Sequence, residues 1–313
     1  MQGIFYVANK LYGLTFKEIT SEVPSYEPTA KAFEVIDRDG KTISIFYSDY
    51  YPRDGKNAGA WCTSFRGQSY DGEERVIPIV VNCCNMTAPS GDVPALQSID
   101  NVETMFHEFG HALHSFVRDV RYNGAGGTER DFVELPSQIN EHWAFEPEVL
   151  AVYAKHYQTG ETMPAELIEK IIAAKNYLAA YANVRQVSFG MTDMAWHTIK
   201  APYEGSIIEF EKKAMAPSQI LPVVEGTAMS PTFGHLFSGG YAAGYYGYKW
   251  AEVLAADGYS LFTEKGIFDK ATAAKFRKLL QSGGQEHPMD LYVAFRGHKP
   301  QTKALIDQMG LNK

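Results

Sequence analysis

The residue types and spacing with the clearest chemistry lie in the segment Asp100-Asn-Val-Glu-Thr-Met-Phe-His-Glu-Phe-Gly-His-Ala-Leu-His114. It contains His107, Glu108 and His111 in the pattern H-E-x-x-H, inside a run that favours a helix. In a helix the two histidines lie at positions i and i+4 on one face, so their nitrogens can bind one tetrahedral Zn²⁺ ion. Glu108 then lies beside the metal, where a carboxylate can accept a proton from water. A pair of hydrogen-bonded structural histidines is the alternative interpretation.

A zinc site with two histidines needs a third protein ligand. The candidates lie in residues 128–143, which open a second helix with Pro136 near its first turn. Glu134 is favoured because it lies between two apolar residues, where coordination to a metal would satisfy its charge. Asp131 and Glu141 remain alternatives on spacing alone.

A third polar block combines His235 with four tyrosines in the run Gly239-Gly-Tyr-Ala-Ala-Gly-Tyr-Tyr-Gly-Tyr248. Each buried phenol needs a hydrogen-bond partner, so closely spaced tyrosines are a poor choice for a core. The small residues between them let the backbone approach another group. Peptide hydrolysis needs donors for a developing oxyanion, and tyrosine and histidine side chains can both donate. Tyr246 would lie on a different helix face from the other three, and it is the one expected in the core.

Three blocks of this sequence resemble the thimet oligopeptidase family of zinc metallopeptidases, and within it the bacterial peptidyl-dipeptidases. The likeness runs from about Gly3 to Leu311 and is carried by His107-Glu-Phe-Gly-His-Ala-Leu-His114, Arg130-Asp-Phe-Val-Glu-Leu-Pro-Ser-Gln138, and Phe233-Gly-His235 with the tyrosine run that follows. The resemblance implies one Zn²⁺ ion bound by His107, His111 and Glu134, with Glu108 as the general base.

The resemblance also implies roles for the tyrosine block. Tyr248 and His235 are expected to donate to the oxyanion, and Tyr241 and Tyr245 to contact the backbone or C-terminal carboxylate of the substrate. Arg130 is expected to have a structural or carboxylate-binding role. The spacing from His235 to Tyr241 matches the peptidyl-dipeptidases, whereas the Phe-Gly-His triplet matches the oligopeptidases. Release of C-terminal dipeptides from short peptides is therefore the expected activity. An endo-acting oligopeptidase is one alternative, and an inactive zinc- or peptide-binding module is another.

Histidines that bind zinc usually donate their second N–H group to a carboxylate or a carbonyl. Glu103 lies four residues before His107 on the same helix face, and it is the first candidate for this role. Glu141 lies two turns past Glu134 and is the second candidate. An exposed helix charge is the alternative interpretation of both residues.

The elements that must position these residues are mainly helical. We predict a mainly α fold: a zincin-like helical metallopeptidase domain with a small antiparallel β-sheet beside the active site. Residues 31–49 predict two strands joined by a turn, and residues 60–65 and 76–84 predict two more. Gly59-Ala-Trp-Cys62 resembles the family's edge strand, which pairs with extended substrates. Helices are predicted for residues 1–12, 148–215 and most of 249–313.

The composition bounds the remaining possibilities. The 313 residues are 45% hydrophobic and contain no linker-like segment, so one domain over residues 1–313 is expected. The net charge of −8 argues against nucleic acid or an anionic membrane as a partner. The N-terminus lacks a signal-peptide pattern, so the cytoplasm is expected, with the periplasm as the alternative. The resemblance implies a helical N-terminal half that this chain lacks, and a separate half or a second chain is an expected partner beside short peptide substrates.

Overall fold

The computed structural model describes residues 1–312, and its strands all precede the helix that carries the H-E-x-x-H motif. The predicted strand pair in residues 31–49 and the two further β-rich runs are confirmed. The strands are Thr15–Glu18 (β1), Lys31–Ile36 (β2), Thr42–Asp49 (β3), Trp61–Arg66 (β4), Ser69–Asp71 (β5), Glu74–Val76 (β6) and Ile79–Cys83 (β7).

Five strands form one sheet in the order β1-β2-β3-β7-β4, and β5 and β6 form a separate hairpin. The prediction of an antiparallel sheet is wrong at one pair, because β3 and β7 run parallel, with Ile45 opposite Ile79. After β3 the chain forms β4 and the β5–β6 hairpin, and β7 then enters between β3 and β4. Strand β7 pairs antiparallel with β4 and parallel with β3, so β4 runs opposite to both. This insertion leaves β4 at the edge of the sheet.

The helices account for most of the remaining chain and lie in the predicted helical regions, but residues 154–164 and 198–206 interrupt the region 148–215 that was predicted as helical throughout. Within residues 1–312 they are Gln2–Tyr12 (α1), Ile99–Val117 (α2), Leu135–Glu141 (α3), Pro147–Tyr153 (α4), Ala165–Lys175 (α5), Ala179–His197 (α6), Ile207–Met215 (α7), Gly234–Phe237 (α8), Tyr246–Lys265 (α9), Lys270–Gln281 (α10), Pro288–Arg296 (α11) and Lys303–Gln308 (α12). In the same part of the chain, no helix has both the length and the apolar content that are needed to cross a membrane.

Helix α2 lies at the centre of the largest hydrophobic cluster. Ser98 caps its first turn by accepting from the Asn101 N–H, and Phe106, Phe109 and Phe116 are completely or almost completely buried. The same cluster contains residues of α1, β2, β3, β7, α3 and the C-terminal helices α9–α11. The helix that carries the polar motif is therefore held from several sides by apolar packing.

The packing of α2 against α3 depends on a glycine. A Cβ atom on Gly110 would lie 2.3 Å from the Pro136 carbonyl oxygen and 2.6 Å from the Ser137 Cα atom. The two backbones are therefore closer than any other residue at position 110 would allow. This close approach brings the start of α3 to the face of α2 that carries His107 and His111.

Candidate active site

Three potential metal ligands converge between α2 and α3. His107 and His111 lie one turn apart on α2, and Glu134 immediately precedes α3. The Glu134 Oε2 atom is 3.3 Å from His107 Nε2 and 3.1 Å from His111 Nε2. Ligand atoms of all three side chains lie within 4.8 Å of one another. Two imidazoles and one carboxylate form a three-ligand set that catalytic zinc sites use, with the fourth position left for water or substrate.

The electrostatics of this cluster favour a cation. Burial would raise the pKa of Glu134, but its hydrogen bonds with His107 and His111 hold that pKa well below its usual range. Burial alone would lower the pKa of His107, and its hydrogen bonds with Glu134 and Glu141 outweigh this effect and raise the pKa to about 10. The carboxylates therefore attract positive charge to the point where the three ligands meet, and the residues fit a bound Zn²⁺ ion.

Neighbouring side chains fix the orientation of these ligands. Glu141, the second of the two predicted partners, places its Oε1 atom 2.5 Å from His107 Nδ1, which leaves Nε2 free to face the metal position. Ser137 donates to Glu134 Oε2 at 2.9 Å, and Tyr241 donates to Glu134 Oε1 at 2.6 Å. The ligand geometry is thus held by partners on α3 and in the tyrosine block.

The structure contradicts the choice of Glu103 as the partner of His107. The Glu103 carboxylate instead accepts from Lys175 Nζ at 2.7 Å. A residue one turn before His107 is within reach of its ring, but Lys175 of α5 binds the Glu103 carboxylate. The approach of α3 brings Glu141 to His107 Nδ1 instead. Asp131, an alternative ligand on spacing, accepts from Tyr246 and lies outside the three-ligand set.

Glu108 lies beside the ligands and is buried, with 6% of its surface exposed. Burial raises the pKa of its carboxyl, and the nearby His107 and His111 oppose that shift. Its Oε2 atom has no hydrogen-bond partner among residues 1–312. A buried carboxylate with a raised pKa and a free oxygen is suited to accepting a proton.

The predicted tyrosines and histidine gather on one side of the ligands. The Tyr241 and Tyr248 rings stack with centroids 4.9 Å apart, and the His235 ring lies 5.9 Å from that of Tyr248. The Tyr245 ring is 5.2 Å from that of Tyr248, and its hydroxyl donates to Gln186 at 3.0 Å. Burial raises the pKa of Tyr248 and of Tyr245, so both phenols keep their protons and can donate.

Tyr246 is exposed and not in the core, and Arg130 lies against the tyrosine block. Tyr246, which was expected in the core, is 47% exposed and donates to Asp131 at 2.9 Å. It is the first residue of α9, and Gly247 takes the buried position next to it, against the backbone of Asp131. Arg130 lies with its guanidinium 4.7 Å from the centroid of the Tyr241 ring, so it packs against the tyrosine block.

A cleft of about 850 Å³ opens beside this cluster. His235, Tyr245, Tyr248 and Glu141 line it, together with several charged residues of α5, α6 and α9. Its size lies within the usual range for ligand sites. Glu141 and the His235, Tyr245 and Tyr248 side chains therefore face a space that can hold part of a peptide, while the three potential ligands and Glu108 lie beside it and do not line it.

The sequence predicted no functional residue in residues 148–215, yet α6 supplies Asp193, which contacts the tyrosine block. Asp193 is fully buried and accepts backbone N–H groups from Ala243 and Tyr245. The available signal was an acidic residue within the apolar run Met191-Thr-Asp-Met-Ala-Trp196. A buried carboxylate needs partners, so such a position indicates a fixed polar contact.

The model of peptidase family M3 matches residues 1–311. The chain belongs to peptidase family M3. A dipeptidyl carboxypeptidase of Salmonella typhimurium LT2 is 41% identical to this M3 chain over 317 residues, which cover 100% of the chain and 46% of the relative. Oligopeptidase A of Escherichia coli K12 is 41% identical over 318 residues, which cover 99% of this chain and 46% of that relative. The M3 chain spans about half the length of the curated relatives it matches.

A solved structure shares the fold of the M3 chain. It is PZ peptidase A with an inhibitor, at a TM-score of 0.55 and 15% identity, and the match covers 84% of this chain and 43% of that one. The solved structure thus supports the fold, and the match over residues 1–311 supports the family.

Proposed function

We propose that this chain is the catalytic part of a zinc peptidase that hydrolyses short peptides. The observation that carries the proposal is the convergence of His107, His111 and Glu134 beside the buried carboxylate of Glu108. Holding zinc requires only the three ligands. The presence of a buried base and of several phenol donors around the same point favours catalysis over a module that only binds zinc or peptide.

Zinc at this site would polarise a peptide carbonyl and lower the pKa of water. Glu108 accepts a proton from the attacking water and then passes it to the leaving amine. The raised pKa of Glu108 supports this role, because it makes the carboxylate a stronger base near neutral pH. Tyr248 and His235 donate to the oxyanion that develops on the carbonyl. Removal of one such donor raises the barrier by about 2.7–4 kcal/mol.

The release of C-terminal dipeptides is the mode that we favour over internal cleavage. This mode needs a cation for the free carboxylate of the substrate. Among residues 1–312, Arg185 lines the cleft and forms no ion pair. The other charged side chains of the cleft are paired: Lys175 with Glu103, Lys249 with Glu252, and Glu141 with His107. Relatives of both kinds, a dipeptidyl carboxypeptidase and an oligopeptidase A, match equally well.

We also propose that a further protein domain packs on α5 and the start of α6. This domain is either a preceding segment of a longer chain or a separate chain. No residue along the described length of α5 is buried. Large apolar side chains in and after it are exposed, among them Leu167, Ile172, Tyr177 and Leu178. A patch of this kind is typical of an interface. A wall at this position would cover the cleft, which α5 and α6 line.

The test uses the zinc-loaded chain, its Glu108→Gln variant and an N-acetylated peptide of ten residues, with a free or an amidated C-terminus. Mass spectrometry of the products distinguishes the modes. Dipeptides released only from the free-acid peptide, and only by the unmodified chain, would support the proposal in full. Internal cuts in both peptides would replace it with the oligopeptidase. Stoichiometric zinc without any cleavage would leave a binding module, and full activity in the variant would remove Glu108 from its role.

A further inference from the structure

Asp193 connects α6 with the tyrosine loop, which comprises residues 238–245 between α8 and α9 and carries Tyr241 and Tyr245. Its carboxylate is fully buried, and each oxygen accepts a different backbone N–H group. Oδ1 accepts from Ala243 and Oδ2 from Tyr245, both at 2.9 Å. The His197 Nδ1 atom lies 2.7 Å from Oδ1 and 2.9 Å from the backbone carbonyl oxygen of Asp193. Two charge-assisted bonds from one side chain fix the direction of the loop as well as its distance from α6.

The loop needs such support because its conformation is unusual. Ala243 has a φ angle of +53°, in the left-handed region that residues with a Cβ atom rarely adopt. A non-glycine residue keeps this conformation only when its surroundings impose it. The N–H group of Ala243 is one of the two that Asp193 accepts, so the carboxylate acts at the strained residue itself.

The position of this loop sets two groups of the candidate site. Tyr241, two residues before Ala243, donates to Glu134 Oε1, while Glu134 Oε2 faces the two histidines. Tyr248, in the first turn of α9, stacks on Tyr241, so a displaced loop would disturb the packing of both rings. A chain of direct contacts thus runs from Asp193 through the loop to a metal ligand.

We propose that Asp193 is a positioning residue, which holds the tyrosine loop so that Tyr241 supports Glu134 and Tyr248 faces the cleft. The link to metal and to hydrolysis rests on the proposed function above. The link from Asp193 to the loop does not, and it can be tested separately.

The first experiment compares Asp193→Asn with Asp257→Asn by amide hydrogen exchange. An asparagine at position 193 keeps one acceptor but turns an NH₂ group towards the second N–H, so one bond is lost. Asp257 is the matched control, because it is also buried and holds Tyr292 and Arg296 of α11. We expect exchange in residues 240–248 to become about tenfold faster in Asp193→Asn, with α2 unchanged. Unchanged exchange in that loop, or the same increase in both variants, would overturn the proposal.

The second experiment measures zinc affinity by competition with a chromophoric chelator. We expect Asp193→Asn and Tyr241→Phe each to weaken zinc binding about tenfold, and the double variant to be no weaker than Tyr241→Phe alone, because both act on Glu134 through the same hydrogen bond. Asp257→Asn should bind zinc as the unmodified chain does. Additive losses in the double variant would show that Asp193 does not act through Tyr241, and would overturn the proposal.

The two experiments separate this inference from the proposed function. If the unmodified chain binds zinc and fails to hydrolyse peptides, the proposed function fails, while the exchange and affinity results still decide the role of Asp193. If hydrolysis is observed, kcat should fall more in Asp193→Asn than in Asp257→Asn at equal zinc content. An equal fall in both would reduce Asp193 to a residue of general stability.

Discussion

The two oxygens of the Glu134 carboxylate have different surroundings. Oε2 faces the nitrogens of His107 and His111, and Oε1 accepts from Tyr241. The sequence predicted that these three side chains could converge as ligands, because helical spacing places the histidines on one face and an apolar setting marks Glu134. Its first choice for the partner of His107, Glu103, is wrong, because the approach of α3 brings Glu141 to the ring while Lys175 of α5 binds the Glu103 carboxylate.

The partner of His107 can be identified by a matched pair of substitutions. Glu141→Gln should weaken zinc binding about 10–100-fold, because the ring loses a charged acceptor that orients it. Glu103→Gln should leave zinc affinity unchanged, because that carboxylate is bonded to Lys175. Competition titration with a chelator measures both. Equal losses in the two variants would contradict the assignment of Glu141.

Among the secondary structure elements, α2 and α3 determine the site through their close contact at Gly110. Gly110→Ala should push α3 away from α2, because the new methyl group would meet the Pro136 carbonyl at 2.3 Å. We expect a loss of about 1–3 kcal/mol in the free energy of unfolding and a marked loss of zinc affinity. Gly127→Ala is the control, since no atom lies within 4 Å of its added Cβ. Urea unfolding and zinc titration of both variants test this, and normal zinc binding in Gly110→Ala would refute it.

Helix α2 also carries a buried histidine that makes stability depend on pH. Burial lowers the pKa of His114 to about 3, well below the value of about 6.5 in an unfolded chain. Below pH 6.5 the unfolded state therefore binds a proton that the folded state does not, and stability falls as the pH decreases towards 3. The slope approaches 1.4 kcal/mol per pH unit, at about 25 °C. Urea unfolding at pH 7, 6 and 5 should show a shallower decrease for His114→Gln than for the unmodified chain; parallel curves would exclude this histidine as the cause.

Local patterns and long-range contacts differed in how well the sequence predicted them. The strands β2 and β3 and the helix α2 follow from alternation, turn residues and helical spacing, all of which act over a few residues. The parallel pairing of β3 with β7 could not be predicted in this way, since β4, β5 and β6 lie between them in the chain and β7 is inserted between β3 and β4 in the sheet. The contact of Asp193 with a loop 50 residues later could not be predicted either, because it depends on how α6 packs against the tyrosine block.

On the scale of the whole molecule, one hydrophobic cluster joins the sheet, α2 and the C-terminal helices, whereas α5 and the start of α6 lie outside it. Leu167 and Ile172 are 46% and 45% exposed. Replacing both with lysine should change the free energy of unfolding by less than about 0.5 kcal/mol, because neither side chain packs in the core. It should reduce the binding of the dye ANS, which reports exposed apolar surface.

The matched control for that pair replaces Ile207 and Ile208 of α7, which are 44% and 37% exposed and lie outside α5 and α6, with lysine. If the α5 patch is the larger continuous apolar surface, its double variant should lose more dye binding than the control. A loss of stability above about 1 kcal/mol in the α5 variant would show that this face packs on the chain itself, and would argue against a partner there.

The lack of buried residues in α5 also determines where a protease would cut this chain first. Its 11 residues are fewer than the roughly 12–15 that an isolated helix needs to be stable in water, and it gains little from packing. Such a helix opens often, and a protease cleaves segments in proportion to how often they open. Limited digestion should therefore begin in or beside α5 and leave the three proposed zinc ligands on the N-terminal fragment, with the tyrosine block on the other.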